Sequence, residues 1–110
     1  MFPSIWYEGQ PLTVLEAKAL GTPIIVSDGC AGRDCVEDGV SGFWFRRNDV
    51  DALVGALRRY EAADVDALSR AAYNSYWAAP ATIERHVAAI TSLYRGLLPA
   101  TGSMDLRLSA

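Results

Sequence analysis

The run Pro23-Ile24-Ile25-Val26-Ser27 constrains the fold most. A continuous β-branched stretch with no polar alternation suits a strand buried on both faces, the situation inside a parallel sheet. It ends at Asp28-Gly29, a turn signal. Just upstream, a helix is predicted over Pro11 to Leu20. Pro11 suits the first helical position because its φ is already helical and its missing N–H would be unpaired there. Leu12, Leu15 and Ala19 recur at helical spacing, and Gly21 supplies a left-handed cap. Downstream, Arg33 to Val36 is predicted as one helical turn, Asp38-Gly39 turns the chain, and Gly42 to Phe45 forms a second short apolar strand. Phe2 to Ile5 reads as the end of another buried strand, followed by a turn over Tyr7 to Gln10. Strands and helices in alternation with short connections define an α/β class. The prediction is a partial Rossmann-like parallel sheet of about three short strands with flanking helices.

From Asn48 onward the predicted elements are all helical. Asn48 or Asp49 caps a helix whose Val50, Leu53, Val54 and Leu57 share a face, with Asp51 in its first turn and Arg58-Arg59 in its last, complementing the macrodipole. Asp64 caps a second helix reaching about Trp77, with Val65, Leu68 and Ala72 inward. Pro80 interrupts, and Thr82 opens a third helix with an apolar stripe of Ile83, Val87, Ile90, Tyr94 and Leu97. Residues 1–98 are expected to form one domain and 99–110 a flexible tail. Three strands are few beside the ~5–6 of a typical sheet, so other polypeptide or a partner chain is expected to complete this one.

Composition narrows the function. With 110 residues, 51% hydrophobic and 21% charged, the chain is sized and composed for one folded domain. Ten basic against 13 acidic residues give a net charge of −3, with no basic cluster longer than Arg46-Arg47 or Arg58-Arg59. That removes the electrostatic footprint of a nucleic-acid binder. Cys30 and Cys35 are too few for a disulfide scaffold, and His86 is too remote in sequence to complete a zinc site with them. They are expected as small buried thiols in a reducing compartment. The first residues lack a basic n-region, and no stretch approaches the ~20 apolar residues of a membrane span, so a cytoplasmic location is expected.

The chemistry concentrates in Glu8-Gly9-Gln10-Pro11-Leu12-Thr13-Val14-Leu15-Glu16. The free N–H groups around Gly9 to Thr13 fall at the positive end of the predicted helix, after a strand end, where open α/β sheets place anionic ligands. Gly9 lets a ligand approach the backbone with no Cβ in the way. Glu8 and Glu16 would repel a phosphate unless they face hydroxyl groups, which carboxylates accept readily. A ligand carrying both phosphates and sugars satisfies all of these groups. Spacing alone leaves open an ordinary turn before a solvated helix, and also a glycoside hydrolase with two carboxylates ~5–10 Å apart. Trp6 and Tyr7, beside Glu8, are candidates to line a sugar site.

Phe2-Pro3-Ser4, the Glu8-x(7)-Glu16 pair, Ala17 to Asp28 with its Leu-Gly-Thr-Pro strand entry, and Val36-Glu37-Asp38-Gly39-Val40-Ser41-Gly42 occur in one frame. Together they resemble the nucleotide-sugar half of family 4 retaining glycosyltransferases of the GT-B fold, from residue 2 to about residue 98. The resemblance implies a donor-binding segment of an enzyme that moves a sugar from a nucleotide diphosphate sugar to a hydroxyl acceptor, sugar or lipid-linked sugar. Retention would follow from assistance by the leaving diphosphate, with no metal or other cofactor. It implies Glu8 as the catalytic residue, orienting the donor sugar rather than attacking it. Gly9, Gln10, Pro11, Leu12 and Thr13 would bind sugar and diphosphate, and Glu16 the ribose. Cell-surface polysaccharide or glycolipid synthesis, at the inner face of a membrane, is the setting it suggests. It further implies an N-terminal domain outside this stretch, so that the isolated chain is expected to be inactive. The other expectation is a noncatalytic nucleotide-sugar-binding or interaction module that pairs with another chain. Where many members carry Pro-Glu, this chain has Arg33 and Asp34. Asp34 is expected to keep a carboxylate there for local hydrogen bonding.

Overall fold

A computed structural model describes residues 1–98, so the expected tail over 99–110 lies outside the described residues. In order come α1 (Leu12–Ala19), β1 (Ile24–Ser27), a 3-10 turn (Ala31–Cys35), β2 (Gly42–Phe45), α2 (Val50–Glu61), α3 (Val65–Trp77) and α4 (Ile83–Leu97). The chain divides into two compact units, Met1–Ala79 and a second beginning at Pro80.

In the first unit β1 and β2 pair in parallel, with Ile24 opposite Gly42 and Ser27 opposite Phe45. The unbroken apolar run explains why: all of Ile24–Ser27 is buried, because each face of the sheet is covered. Ile24 and Val26 point to one side, where they meet Val14 of α1 and Val36, with Ala17, Phe2 and Trp44 at the margin. Ile25 points to the other, with Phe43, Phe45, Ala56 of α2 and Leu68 of α3. Each such aliphatic or aromatic side chain contributes about 1.5–3 kcal/mol by leaving water.

Two expectations for this part of the chain need correction. The strand expected over Phe2 to Ile5 is reduced to a single parallel bridge, Phe2 to Val26. Phe2 N–H donates to Ile25 O at 2.8 Å and Phe2 O accepts from Ser27 N–H at 3.3 Å, but Pro3 has no N–H with which to continue a ladder. Pro11 is the N-cap of α1 rather than its first helical residue: its ψ of 93° is extended, while its carbonyl accepts from Val14 and Leu15. At the other end Gly21, at φ 69° just past Leu20, supplies the expected left-handed cap, its N–H donating to Lys18 O at 2.9 Å and that of Thr22 to Ala17 O at 2.8 Å.

On α2, the inward face is Ala52, Leu53, Ala56 and Tyr60, whereas Val50 is 75% exposed and Leu57 is also outward. Periodicity favours Val50 and Leu57, but the helix seats Ala52 and Ala56, together with Leu53 and Tyr60, against Phe43 and Phe45. Tyr60 meets Phe43 edge-on, with ring centroids 6.5 Å apart. The Arg59 guanidinium lies 4.6 Å from the Phe43 ring centre and pairs with Asp38 at 2.8 Å.

The caps follow expectation. Asp49, not Asn48, caps α2, accepting from Ala52 N–H at 2.8 Å and pairing with Arg46 at 2.6 Å. The Ala52 bond first, and Arg46 second, hold its carboxyl below the ordinary carboxylate range. A carboxyl depressed in the folded chain stabilises it above the unfolded pKa of about 4 and loses that effect as pH falls through the folded value. In denaturant unfolding followed by circular dichroism, the stability advantage of wild type over Asp49→Ala is therefore expected to be full near pH 7 and to shrink as pH falls below about 4. Asp64 caps α3 through Ala67 N–H at 3.0 Å, and α3 closes the C-terminal end of α1: Ser69 Oγ donates to Gly21 O at 2.6 Å and Trp77 Nε1 to Ala19 O at 3.1 Å. In the second unit Thr82 caps α4, which buries none of its residues.

Candidate functional site

Two loops leave the carboxyl ends of neighbouring parallel segments. One runs from the Phe2 bridge through Ile5 to Pro11; the other runs from β1 through Asp28 into the 3-10 turn. Ser27 Oγ donates to Ser4 O, tying the two exits together. This is the crevice in which open α/β sheets hold ligands. Between the loops lies a cleft of about 450 Å³, lined by Tyr7, Glu8, Gly9, Gln10, Pro11, Ala31, Asp34 and Cys35.

Its floor depends on close packing. Gly32 sits where a Cβ would come 3.1 Å from Val14 Cγ2 and 3.3 Å from Cys30 Sγ, so glycine lets the 3-10 turn settle against the start of α1. Lys18, from α1, donates through Nζ to the Cys35 carbonyl and fixes the far end of that turn. The Arg33 guanidinium turns away from the cleft onto Trp44, 4.9 Å from its ring centre.

Of the residues singled out from the sequence, the structure gathers Glu8, Gly9, Gln10 and Pro11 in the cleft. Leu12, Thr13 and Glu16 lie outside it, exposed on α1. The N–H groups of Gly9, Gln10, Leu12 and Thr13 donate no hydrogen bond among the described residues, and those of Leu12 and Thr13 stand at the positive end of α1. A Cβ at Gly9 would meet nothing within 4 Å, so the protein's own packing does not demand glycine there. Glu8 is half-buried and Tyr7 is exposed at the rim.

Ala31, Asp34 and Cys35 were not read from the sequence as lining residues. Asp34 accepts no hydrogen bond among the described residues, which corrects its expected role in local hydrogen bonding. Cys30 is buried as expected, its thiol donating to Ser27 O at 3.4 Å, but Cys35 is only half-buried and faces the cleft. Burial pushes the Cys35 thiol up, against the opposing pull of Lys18. A readable signal for all three was their position: residues just past the carboxyl end of a strand in a parallel sheet face the ligand crevice. Among the described residues no three His, Cys, Asp or Glu side chains converge as a metal ion would need.

The crevice lies at the carboxyl ends of a parallel sheet, the place of ligands in open α/β folds, and comparison with known proteins gives the family. The chain belongs to the glycosyl transferases group 1 family, whose model matches residues 1–94. It is 43% identical over 60 residues to the Escherichia coli UDP-Gal:alpha-D-GlcNAc-diphosphoundecaprenol alpha-1,3-galactosyltransferase, covering 54% of this chain and 15% of that protein. Over 60 residues it is 38% identical to the lipopolysaccharide 1,6-galactosyltransferase of Salmonella typhimurium, covering 54% and 17%. Its fold matches sucrose-phosphate synthase from Thermosynechococcus elongatus with TM-score 0.70 and 30% identity, over 86% of this chain and 24% of that one. The α/β fold is thus that of a GT-B transferase. The matched stretches span about a sixth of the curated relatives and a quarter of the solved structure.

Proposed function

We propose that this chain is the donor-binding segment of a retaining glycosyltransferase, which takes a nucleoside diphosphate sugar and passes the sugar to a hydroxyl of a sugar or lipid-linked sugar. The observation that carries this reading is the convergence, at the carboxyl ends of parallel segments, of a half-buried carboxylate with unpaired backbone amides at a helix start. The sugar would lie in the cleft with its hydroxyls on Glu8. The diphosphate would lie toward the Leu12 and Thr13 amides, where a preorganised positive end stabilises charge building on the leaving group by ~3–4 kcal/mol. Glu16 lies four residues beyond Leu12, about 6 Å further along α1, where the ribose of an extended ligand would reach. Retention would come from the departing diphosphate assisting the incoming hydroxyl on the same face, without a metal.

The relatives' greater length supports a further part of this reading: acceptor binding belongs to an N-terminal domain, and the basic residues that grip the diphosphate to the first half of the donor domain, both outside this stretch. No helix of the described residues is long and apolar enough to cross a membrane. With a relative named for a diphosphoundecaprenol-linked acceptor, work at the cytoplasmic face of a membrane, through peripheral association, fits best.

Ligand-observed NMR of the 110-residue chain with UDP-, GDP- and ADP-sugars and the free nucleotides tests the assignment, with UDP-galactose first because both curated relatives are galactosyltransferases. Saturable binding of one nucleotide series is expected, and Glu16→Ala is expected to weaken it by about 1–3 kcal/mol, the scale of a lost hydrogen bond to a charged group. Unchanged nucleotide affinity in the variant would remove the ribose role from Glu16.

A further inference from the structure

Ser27 ends β1 and is the polar member of a strand whose other residues are apolar, yet it is 0% exposed. A buried hydroxyl needs partners, and this one has two. Its Oγ donates to Ser4 O and accepts from Gly29 N–H at 3.3 Å. The register gives those partners a meaning. Phe2 pairs with Val26, its N–H on Ile25 O and its O on Ser27 N–H. A parallel ladder repeats every two residues, so its next rung would put Gly29 N–H directly on Ser4 O and Ser4 N–H on Ser27 O. Instead the Ser27 hydroxyl stands between Gly29 N–H and Ser4 O, and Ser27 O takes the Cys30 thiol at 3.4 Å. The two segments are parted by one side-chain atom and still joined through it. Their continuations form the two walls of the cleft, Tyr7 to Pro11 on one side and the turn carrying Ala31, Asp34 and Cys35 on the other. On the Glu8 side the position set at Ser4 is passed along the loop: Ser4 Oγ accepts from Trp6 N–H at 3.2 Å, and Trp6 O accepts from Glu8 N–H at 3.1 Å.

We infer that Ser27 is a positioning residue of the donor site: its buried hydroxyl, inserted between Gly29 N–H and Ser4 O, sets the spacing of the two cleft walls and thereby the place where Glu8 meets the donor sugar. This rests on the donor-site reading and deepens it by naming the group that holds the sugar end open. Without the hydroxyl, Gly29 N–H and Ser4 O lose their shared partner. They then close on each other, which narrows the cleft, or part, which frees the loop, and Glu8 is displaced in both cases. The Leu12 and Thr13 amides are held by α1 itself, whose first turn is closed by Val14 and Leu15 N–H on Pro11 O, so the nucleotide end keeps its place.

The test compares UDP-galactose and UDP binding to the nitrogen-15-labelled 110-residue chain by NMR titration, in wild type, Ser27→Ala and Ser27→Thr. In Ser27→Ala, UDP-galactose is expected to bind about tenfold more weakly while UDP stays within about twofold. Ser27→Thr keeps the hydroxyl and is expected to hold UDP-galactose within about threefold of wild type. In the free chain, the amide signals of Trp6 to Gln10 are expected to move in Ser27→Ala while those of Phe43 to Phe45 stay. A purely structural role for Ser27 would weaken both ligands together and disturb the sheet signals with the loop. If Ser27→Ala does not fold, Ser27→Cys, close to serine in size and a weaker hydrogen-bonding group, is read by the same comparison of UDP-galactose with UDP. Equal loss of both ligands in a folded variant, no loss of either, or a Ser27→Thr chain as weak for UDP-galactose as Ser27→Ala overturns this inference, while binding of both ligands to wild type keeps the donor site. If neither UDP nor UDP-galactose binds a wild-type chain that circular dichroism shows to be folded, the donor-site reading fails and this inference fails with it.

Discussion

Replacing Gly42 by alanine is expected to destabilise the chain by about 3 kcal/mol or more, the class of loss produced when a core position has no room for an added atom. A Cβ at Gly42 would lie 2.2 Å from the Ile24 carbonyl oxygen and 3.0 Å from Val36 Cγ1. The nearer neighbour is backbone of the paired strand, which cannot rotate away. Ile24 and Gly42 form the first pair of the parallel ladder, so separating them also withdraws Ile24 and Val36 from the layer beneath α1. Gly55→Ala is the matched control. A Cβ there meets nothing within 4 Å, and inside α2 the change is expected to stabilise by about 0.5–1 kcal/mol through helix propensity. Denaturant unfolding followed by far-ultraviolet circular dichroism measures both. Opposite signs are expected, and a Gly42→Ala chain as stable as wild type would mean that the two strands are not paired in this register.

The second large effect falls on catalysis. In the full-length transferase, Glu8→Ala is expected to lower turnover about 100-fold while nucleotide affinity stays within about twofold, because a misplaced sugar loses the oriented approach on which transfer depends. Glu8 faces the cleft and lies four residues before Leu12, the first of the two unpaired amides at the start of α1, so sugar and diphosphate contacts fall on different residues. Steady-state kinetics paired with binding of the free nucleotide distinguishes the outcomes. Loss of both turnover and nucleotide affinity would show that the substitution collapses the loop, and unchanged turnover would remove Glu8 from the reaction.

Much of this was readable in the residues themselves. The unbroken Ile24-Ile25-Val26 run demanded cover on both faces, and both faces are covered, by α1 on one side and by α2 and α3 on the other. Capping residues were legible because they act locally: Asp49, Asp64 and Thr82 each hold the N–H three residues on. What local pattern could not supply was the outcome of competition between elements. The inward face of α2 is set by Phe43 and Phe45 across the interface, against which Ala52 and Ala56 pack together with Leu53 and Tyr60. The strand at Phe2 stops after one bridge because Pro3 follows, although its apolar neighbours argue for continuation.

The same division applies to the site. Glu8 to Pro11 was accessible as a loop before a helix, and it does border the cleft. Asp34 and Cys35, far from that loop in sequence, come opposite it only because the chain pairs in parallel, Gly32 lets the 3-10 turn pack against Pro11 and Val14, and Lys18 ties that turn down. Leu12, Thr13 and Glu16 fall outside the cleft because α1 carries them past its edge, which suits a ligand longer than the cleft itself.

The central claim is that the cleft and the start of α1 together hold a nucleoside diphosphate sugar. The most direct measurement is a titration of the uniformly nitrogen-15-labelled 110-residue chain with UDP-galactose, following backbone amide shifts. Saturable shifts are expected at Gly9, Gln10, Leu12 and Thr13, the donors left without partners among the described residues, together with Ala31 and Asp34 across the cleft. Saturable shifts confined to residues away from both loops would contradict it.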